Sequence, residues 1–352
     1  MKKSLVSLVF FIFAVSICSV YFVYKSGLGY ELQNEVNFDV TSGETFNGVI
    51  QKLSTFEKDL PVAITKLHIK LEGLGKSLKR GEYSFQRGDS LESILKSLSE
   101  GRVVEYKVVI PEGYNLYEIG DLLVKHKIIS AKQAFLDLAL SPKAAQEFMG
   151  FQAPSLEGYL YPATYDFSKN TAPYSIAKKL TAAHKEAFAK LLSRVGELPK
   201  GFDHHKLVTL ASVVEKETGA SSERPVIASV FLNRLKKGMR LQSDPTTIYG
   251  EWIKTGERLF NIRKKHLLTL NDYNTYKIKA LPVGPISNPG YEAMLAICEP
   301  KPGDYYYFVS KNDGPHYFSR TYAEHAKAVR RFQMSKKARA GKSWRNMKKQ
   351  AK

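Results

Sequence analysis

Two carboxylates stand two positions apart in the stretch ASVVEKETGA, residues 211–220. They follow Leu207, Val208, Leu210, Ala211, Val213 and Val214, an apolar run whose spacing marks a buried helix face. A carboxyl beside such a face is disfavoured as the anion, so its pKa rises. It can then keep a proton near neutral pH and protonate a glycosidic oxygen. Glu217 trails Leu210 by seven positions, Val213 by four and Val214 by three. On a helical wheel that sets it about 60 to 70° from the centre of the apolar face, against roughly 90° on the other flank for Glu215, while Lys216 points outward. Glu217 is the expected better-buried acid, Glu215 is the alternative, and a pair of surface carboxylates near Gly219 is the structural explanation.

Other side chains could surround such an acid. Gln242 and Asp244 in LQSDPTT could hydrogen-bond a sugar, although Asp244 before Pro245 also suits a helix N-cap with proline at the first helical position. Tyr273, Asn274, Thr275 and Tyr276 combine aromatic faces with amide and hydroxyl groups, which suits a glycan, with a capped turn as the alternative. His316 is expected on a hairpin strand and is assigned to the same cleft. Several chemistries find no support in the motifs. There is no H-E-x-x-H, no G-x-S-x-G elbow and no glycine-rich dinucleotide turn, and LEGLGKS (71–77) has Lys70 where a phosphate loop needs its first glycine. His204 and His205 are adjacent, so they point to different sides of a regular element and do not form a ligand pair. No metal site is expected.

The elements that position these groups begin at a membrane. Leu5 to Tyr24 is a run of 20 residues without a charge, about 30 Å as a helix and enough to span the hydrocarbon core. Lys2 and Lys3 precede it, which keeps the first residues in the cytoplasm and sends the rest across, with Lys25 as a weaker opposing vote. A cleaved signal is the alternative, but the apolar run is long and has no A-x-A site. Lipoprotein processing at Cys18 is disfavoured by the bulky Ile17. Cys18 and Cys298 provide no disulfide framework. The chain has 352 residues, 43% of them apolar, and carries 53 basic against 34 acidic side chains for a net charge of +19. Such a charge attracts nucleic acid, anionic membrane or acidic polymer. Nucleic acid is disfavoured, because no recognition helix, zinc-finger spacing or RNP-like strand accompanies it.

A short pattern recurs three times, in GETFNGVIQKL from Gly43, GDSLESILKSL from Gly88 and GYNLYEIGDLL from Gly113. Thr45, Ser90 and Asn115 are placed as N-caps of a helix after an extended segment. The first two copies resemble LysM, a carbohydrate-binding module that holds peptidoglycan; a generic cap-and-helix pattern recurring by chance is the alternative. Beyond residue 150, EGYLYPATYDF is extended and aromatic, and a helix is expected from Ser175 to about Val195. In SERPVIASVFLNRLKKG, Ser222 is placed to cap and Gly238 to stop a second amphipathic helix. YYYFVS (305–310) reads as a strand, Asp313-Gly314 as a turn, and Thr321 with Glu324 as the capping box of the last helix. Residues 335–352, with eight Lys or Arg and no acid, read as a disordered basic tail, with binding to anionic lipid or polymer as the alternative.

LVTLASVVEKETGASSERPVIASVFLNRLKKGMRLQSDPTTIYG and YNTYKIKALPVGPISNPG resemble the YceG/MltG family of endolytic murein transglycosylases, and the likeness extends from the anchor through HYFS to about Gln333. The resemblance implies that Glu217, the second glutamate of E-K-E-T, is the catalytic residue, and that no metal or organic cofactor is needed. It implies an α+β protein with the following parts: a cytoplasmic end (1–4), a transmembrane helix (5–24), a LysM-like module (38–103), a connecting strand-helix region (104–150), a YceG-like catalytic domain (151–334) and the basic tail (335–352). The implied setting is the cytoplasmic (inner) membrane, crossed once, with the catalytic domain on the periplasmic or extracytoplasmic side. The implied partners are peptidoglycan glycan strands and the penicillin-binding protein synthases that make them. Two rivals stay open: a non-catalytic glycan-binding scaffold, and a hydrolytic muramidase with Asp244 or Glu215 as its second carboxylate.

Overall fold

A computed structural model describes residues 2–41, 43–76, 78–218, 220–311 and 315–334. The expected turn at Asp313-Gly314 and the basic tail lie outside the described residues. The protein is mixed α+β and divides into two compact units, residues 1–107 with 166–171, and residues 108–165 with 172–352.

The first unit opens with a long helix, α1 (Lys2–Leu28), whose stretch Ser7–Leu28 is long and apolar enough to cross a membrane; its apolar side chains from Leu8 to Val23 are largely exposed, and Leu28 at its end is buried in the core of the unit. Strand β1 (Val36–Val40), helices α2 (Phe46–Phe56) and α3 (Val62–Leu71), strand β2 (Gly81–Phe85) and helix α4 (Leu91–Glu100) follow. β1 and β2 pair antiparallel, with Val36 opposite Phe85 and Val40 opposite Gly81. The alternation of Val36, Phe38 and Val40 turns one face of this ribbon inward. There the rings of Phe38, Tyr83 and Phe85 meet at 5.9–6.2 Å and close over the apolar faces of α2 and α4. The caps that the repeat predicts are present: Thr45 accepts from Gly48 N (3.2 Å) and Ser90 from Ser93 N (3.2 Å).

The chain passes between units within β3 (Glu105–Val109) and again within β4 (Thr164–Ser168), which pair with each other. In the second unit, α5 (Leu116–Lys125) starts at the third predicted cap. Asn115 accepts from Glu118 N (2.9 Å), and Glu118 closes a capping box by accepting from Asn115 N (3.1 Å). Helices α6 (Gln133–Ala139), α7 (Pro142–Met149) and α8 (Pro173–Val195) lead to α9 (His204–Glu217), α10 (Arg224–Lys236), α11 (Asp244–Thr255), α12 (Lys264–Leu268) and α13 (Tyr291–Cys298). The hairpin of β5 (Tyr307–Ser310) and β6 (His316–Ser319) follows, then α14 (Tyr322–Val329), which is opened by the expected Thr321/Glu324 capping box. Two caps differ from expectation. Ser222 falls in a 3₁₀ turn before α10, which starts at Arg224 without a side-chain cap. Asp244 is the first residue of α11 rather than its cap, a position that Ser243 takes.

α9 is the axis of this unit, packed by α13, α10 and α11. Every residue from Leu207 to Glu215 is buried, so the helix has no solvent side over that stretch. The extended segment beside it comes close enough to need glycine. At Gly158 φ is +89°, and a Cβ would stand 2.5 Å from Pro285 and 2.9 Å from Val208. Next to it the carboxyl of Glu157, fully buried, accepts from Leu116 N (3.0 Å), Tyr249 Oη (2.8 Å) and Asn288 Nδ2 (3.0 Å). It thereby ties the start of α5, the middle of α11 and the loop before α13 together. Burial pushes this carboxyl up to about 8, against the pull of its donors. A second buried polar group lies at the start of α9. His184 Nε2 and His204 Nε2 are 2.9 Å apart, whereas His205 faces Tyr159 Oη (2.6 Å), so the adjacent histidines do point to different partners.

Candidate active site

Glu217 is the last residue of α9, where the helix gives way to extended Thr218. It opens on a cavity of ≈ 370 Å³ lined also by Arg234, Gln242, Asp244, Tyr276, Tyr307, Phe308, Tyr322 and His325. Its Oε1 accepts a hydrogen bond from Ser243 Oγ. Ser243 does not cap α11 with its side chain, because its hydroxyl is given to this carboxyl. It is instead held by its backbone: the N–H donates to Thr275 Oγ1 (2.9 Å) and the carbonyl accepts from Thr246 Oγ1 (2.7 Å). Burial pushes the Glu217 carboxyl up to about 7. The Ser243 hydrogen bond opposes that rise, the negative charge of Asp244 adds to it, and the Arg234 guanidinium opposes it. Such a group can exchange a proton in either direction near neutral pH.

The wheel ranks the two glutamates by one helix face; in the structure burial raises the Glu217 carboxyl to about 7, as that ranking expects, although Glu215 is the less exposed residue as a whole. Glu215 is the more occluded at 9% exposure, while Glu217 keeps an edge open to the cavity. What covers Glu215 comes from elsewhere: Arg224 reaches its Oε1 at 2.7 Å and Gly290 N its Oε2 at 3.2 Å. Burial raises the Glu215 carboxyl, but the charge of Arg224 opposes the rise, and Arg224 also holds Glu112 at 3.0 Å. Glu215 is thus committed to an internal ion pair, and among the described residues it is not one that lines the cavity.

Of the other residues expected at the site, Gln242, Asp244 and Tyr276 stand in the cavity wall with Glu217. Tyr276 Oη donates to Asp244 Oδ1 at 2.7 Å, which fixes both. Gln242 has φ +51°, in the left-handed region, and is held there by the bond from its N–H to Thr275 O (3.2 Å). Tyr273, Asn274 and Thr275 turn inward instead. Asn274 uses its amide on the carbonyls of His266 (3.1 Å) and Thr269 (2.6 Å) and accepts from Thr247 Oγ1 (3.1 Å). Thr275 supports Ser243, and the Tyr273 ring packs edge-on against Tyr249 at 5.1 Å. The capped-turn explanation therefore describes these three, while Tyr276 points the other way. His316 does lie on the hairpin strand, but its Nδ1 and backbone N each meet Glu223 at 2.7 Å. It braces the segment after Glu217 and is not among the described residues that line the cavity.

Arg234, Tyr307, Phe308, Tyr322 and His325 line the cavity without having been anticipated from the sequence. Arg234 is buried, with Nε donating to Tyr306 O (2.6 Å) and Nη1 to Leu241 O (2.5 Å), and its guanidinium lies over the Tyr307 ring at 5.4 Å. Tyr307 and Phe308 come from β5. Tyr322 and His325 sit three apart on α14, and the His325 ring stacks on Tyr307 at 5.2 Å. Sequence signals existed for part of this set: Arg234 interrupts the apolar stripe of α10, and Tyr322 and His325 share one helical face. Among the described residues no three His, Cys, Asp or Glu side chains converge as a metal site would require. The cavity therefore offers one carboxyl poised to exchange a proton, a hydroxyl donor on it, a buried guanidinium, an anchored carboxylate and a wall of aromatic rings. That set suits acid–base work on a polar, ring-shaped substrate.

The chain is similar to known proteins over most of its length. Residues 38–331 match the YceG-like family. The chain is 31% identical over 316 residues to the endolytic murein transglycosylase of Bacillus subtilis (strain 168), covering 86% of each. It is 30% identical over 279 residues to the endolytic murein transglycosylase of Streptococcus pneumoniae serotype 2 (strain D39), covering 72% of this chain and 50% of that one. A crystal structure of a yceG-like protein from Listeria monocytogenes superposes with a TM-score of 0.56 at 32% identity, covering 84% of this chain and 99% of the other.

Proposed function

The chain belongs to the YceG-like family, and from that premise we propose that it is a peptidoglycan lytic transglycosylase whose acid and base are both Glu217. The observation that carries the proposal is the Glu217 carboxyl itself, partly open to the cavity, raised to about 7 and held by the Ser243 hydroxyl. In the first step Glu217 gives its proton to the glycosidic oxygen leaving C1 of N-acetylmuramic acid toward N-acetylglucosamine. The Ser243 donor and the Arg234 charge stabilise the carboxylate left behind. In the second step that carboxylate takes the proton of the same sugar's C6 hydroxyl as its oxygen closes on C1, which leaves a 1,6-anhydro end and restores the acid. The attacking group belongs to the substrate, so proximity replaces a bound water.

The wider setting is part of the same proposal. α1 serves as a single-pass anchor in the cytoplasmic membrane with the catalytic unit outside the cell's cytoplasm, in keeping with its apolar stretch and with Lys2 and Lys3 before it. The first unit, with two helices between antiparallel strands, acts as a LysM-like glycan-binding module. The substrate is then nascent glycan beside the penicillin-binding protein synthases, and the cut ends strand elongation.

The muramidase alternative retains one observation in its favour, because Asp244 lines the cavity with Glu217. A hydrolase must take its final oxygen from water. Digestion of glycan strands in heavy-oxygen water separates the two readings. We expect muramic ends lighter by one water than hydrolysis products and free of the label, and no cleavage by a folded Glu217→Gln chain that still binds glycan. Labelled reducing ends would establish a muramidase, and turnover by the Gln chain would remove Glu217 from the mechanism.

A further inference from the structure

Helix α3 runs back along α1, in the direction of the apolar stretch. Three levels define the register. At the far end Gly27 lies against Ile64, so close that a Cβ there would stand 2.4 Å from Ile64 Cδ1. Next, Tyr24 Oη meets His68 Nδ1 at 2.7 Å. Beyond that, Ser16, Ile17, Val20, Tyr21 and Tyr24 of α1 share one groove of ≈ 470 Å³ with Leu67 and Leu71 of α3. Numbers fall on α1 as they rise on α3. Gly27 to Val20 and Ile64 to Leu71 are both seven residues, about 10 Å of helix on each side.

α3 is amphipathic in a way its own unit does not use. Thr65 and Ile69 face the core of the first unit, whereas Leu67 is 48% and Leu71 65% exposed, on one stripe with exposed Ala63. Lys66 and Lys70 border that stripe and are exposed as well, and exposed Glu72 follows it at the C-cap. A water-facing Leu-Leu stripe on the wall of an apolar groove is costly unless something apolar covers it.

We propose that α3 is a second membrane element. Its last two turns enter the outer leaflet beside α1, phospholipid acyl chains fill the groove, and Lys66 and Lys70 reach the headgroup phosphates. The inference rests on the reading of α1 as a membrane anchor and extends it. The depth agrees with that reading: the uncharged run ends at Tyr24, and Val20 and Ile17 lie about 6 and 10 Å further in, the depth to which interfacial helices bury their apolar faces. Flanking lysines then keep their stems in the apolar layer and their charges at anionic headgroups. The occupant is lipid because one wall of the groove is the spanning helix, which lipid surrounds at that level. The consequence is mechanical. A single helix can swivel, but two antiparallel elements gripping one leaflet fix the rotation and height of the first unit over the bilayer.

The test uses the full chain in vesicles of phosphatidylethanolamine and phosphatidylglycerol, with both native cysteines replaced and one nitroxide at a time at Leu71→Cys, Ile12→Cys or Asp39→Cys. Collision rates with oxygen, which concentrates in hydrocarbon, and with a water-soluble nickel chelate report depth. We expect oxygen to dominate at positions 71 and 12 and nickel at exposed position 39, with the label at 71 about 5–10 Å below the phosphates. Nickel access at 71 with oxygen access at 12 would overturn the inference and leave the anchor standing. Nickel access at both would overturn the anchor and the inference with it. A label at 71 shielded from both reagents would assign the groove to a neighbouring protein helix and overturn the lipid occupant.

Discussion

Replacing Ser243 with alanine removes one atom from Glu217's surroundings and leaves the backbone frame in place, because Ser243 is held through its N–H and carbonyl by Thr275 and Thr246. The lost bond is a hydroxyl donating to a carboxyl that is an anion for part of the cycle. Hydrogen bonds to charged groups contribute about 1.5–3 kcal/mol, and one pH unit corresponds to about 1.4 kcal/mol. Without the donor the Glu217 carboxyl therefore rises from about 7 by about one to two units. The first chemical step needs the protonated acid, so kcat/KM falls as pH rises through this pKa. The expected profile for the wild-type chain is a decline near pH 7, and for Ser243→Ala a decline one to two units higher. On the acid side, where both chains are protonated, the variant should be slower by about four- to thirteen-fold, taking roughly half of the bond's energy as gained only when the carboxylate forms. The assay is release of muropeptide ends from glycan strands between pH 5 and 10, with thermal melting as a check on folding. A variant that melts normally but whose basic limb does not move, or moves down, would refute the role of Ser243 and the assignment of that limb to Glu217.

Two further outcomes concern stability. Glu157→Ala leaves the Leu116 N–H and the Tyr249 hydroxyl without an acceptor and leaves Asn288 Nδ2 with Tyr114 O alone, so denaturant unfolding should show a loss of about 2–4 kcal/mol; a loss under about 1 kcal/mol would mean that water or rearrangement satisfies them. Burial holds His184 down at about 3 and His204 at about 4, below the ordinary 6.5. Below pH 6.5 the unfolded chain binds the protons that the folded chain refuses, so this stability is present above 6.5 and is lost progressively as pH falls toward about 3. His184→Phe should flatten that slope of melting temperature against pH, and an unchanged slope would place the acid sensitivity elsewhere.

The parts of this protein that were legible in the sequence are those decided by neighbours in the chain. Thr45, Ser90, Asn115 and Thr321 all cap the helices they precede, because a cap needs only a short side chain and an N–H three positions on. The site was legible in its residue types and less so in its partners. Ser243 lost to Asp244 in the reading of LQSDPTT, since the start of α11 is set by Thr275, thirty-two positions away. What surrounds Glu215 and Glu217 could not be read from a wheel for a related reason. A wheel assumes one wet side, but α9 is enclosed all round as far as Glu215, by partners such as Arg224 and Gly290 that no local pattern predicts. What distinguishes the two carboxyls is therefore the company each keeps. Arg224 neutralises one internally, whereas the other ends its helix at a cavity, with Arg234 nearby spending its donors on the carbonyls of Tyr306 and Leu241. An arginine that interrupts an apolar stripe needs buried acceptors to be tolerated. By that principle Arg234 marks the place where another part of the chain must deliver carbonyls to α10, and the site lies where the chain entering β5 delivers one of them.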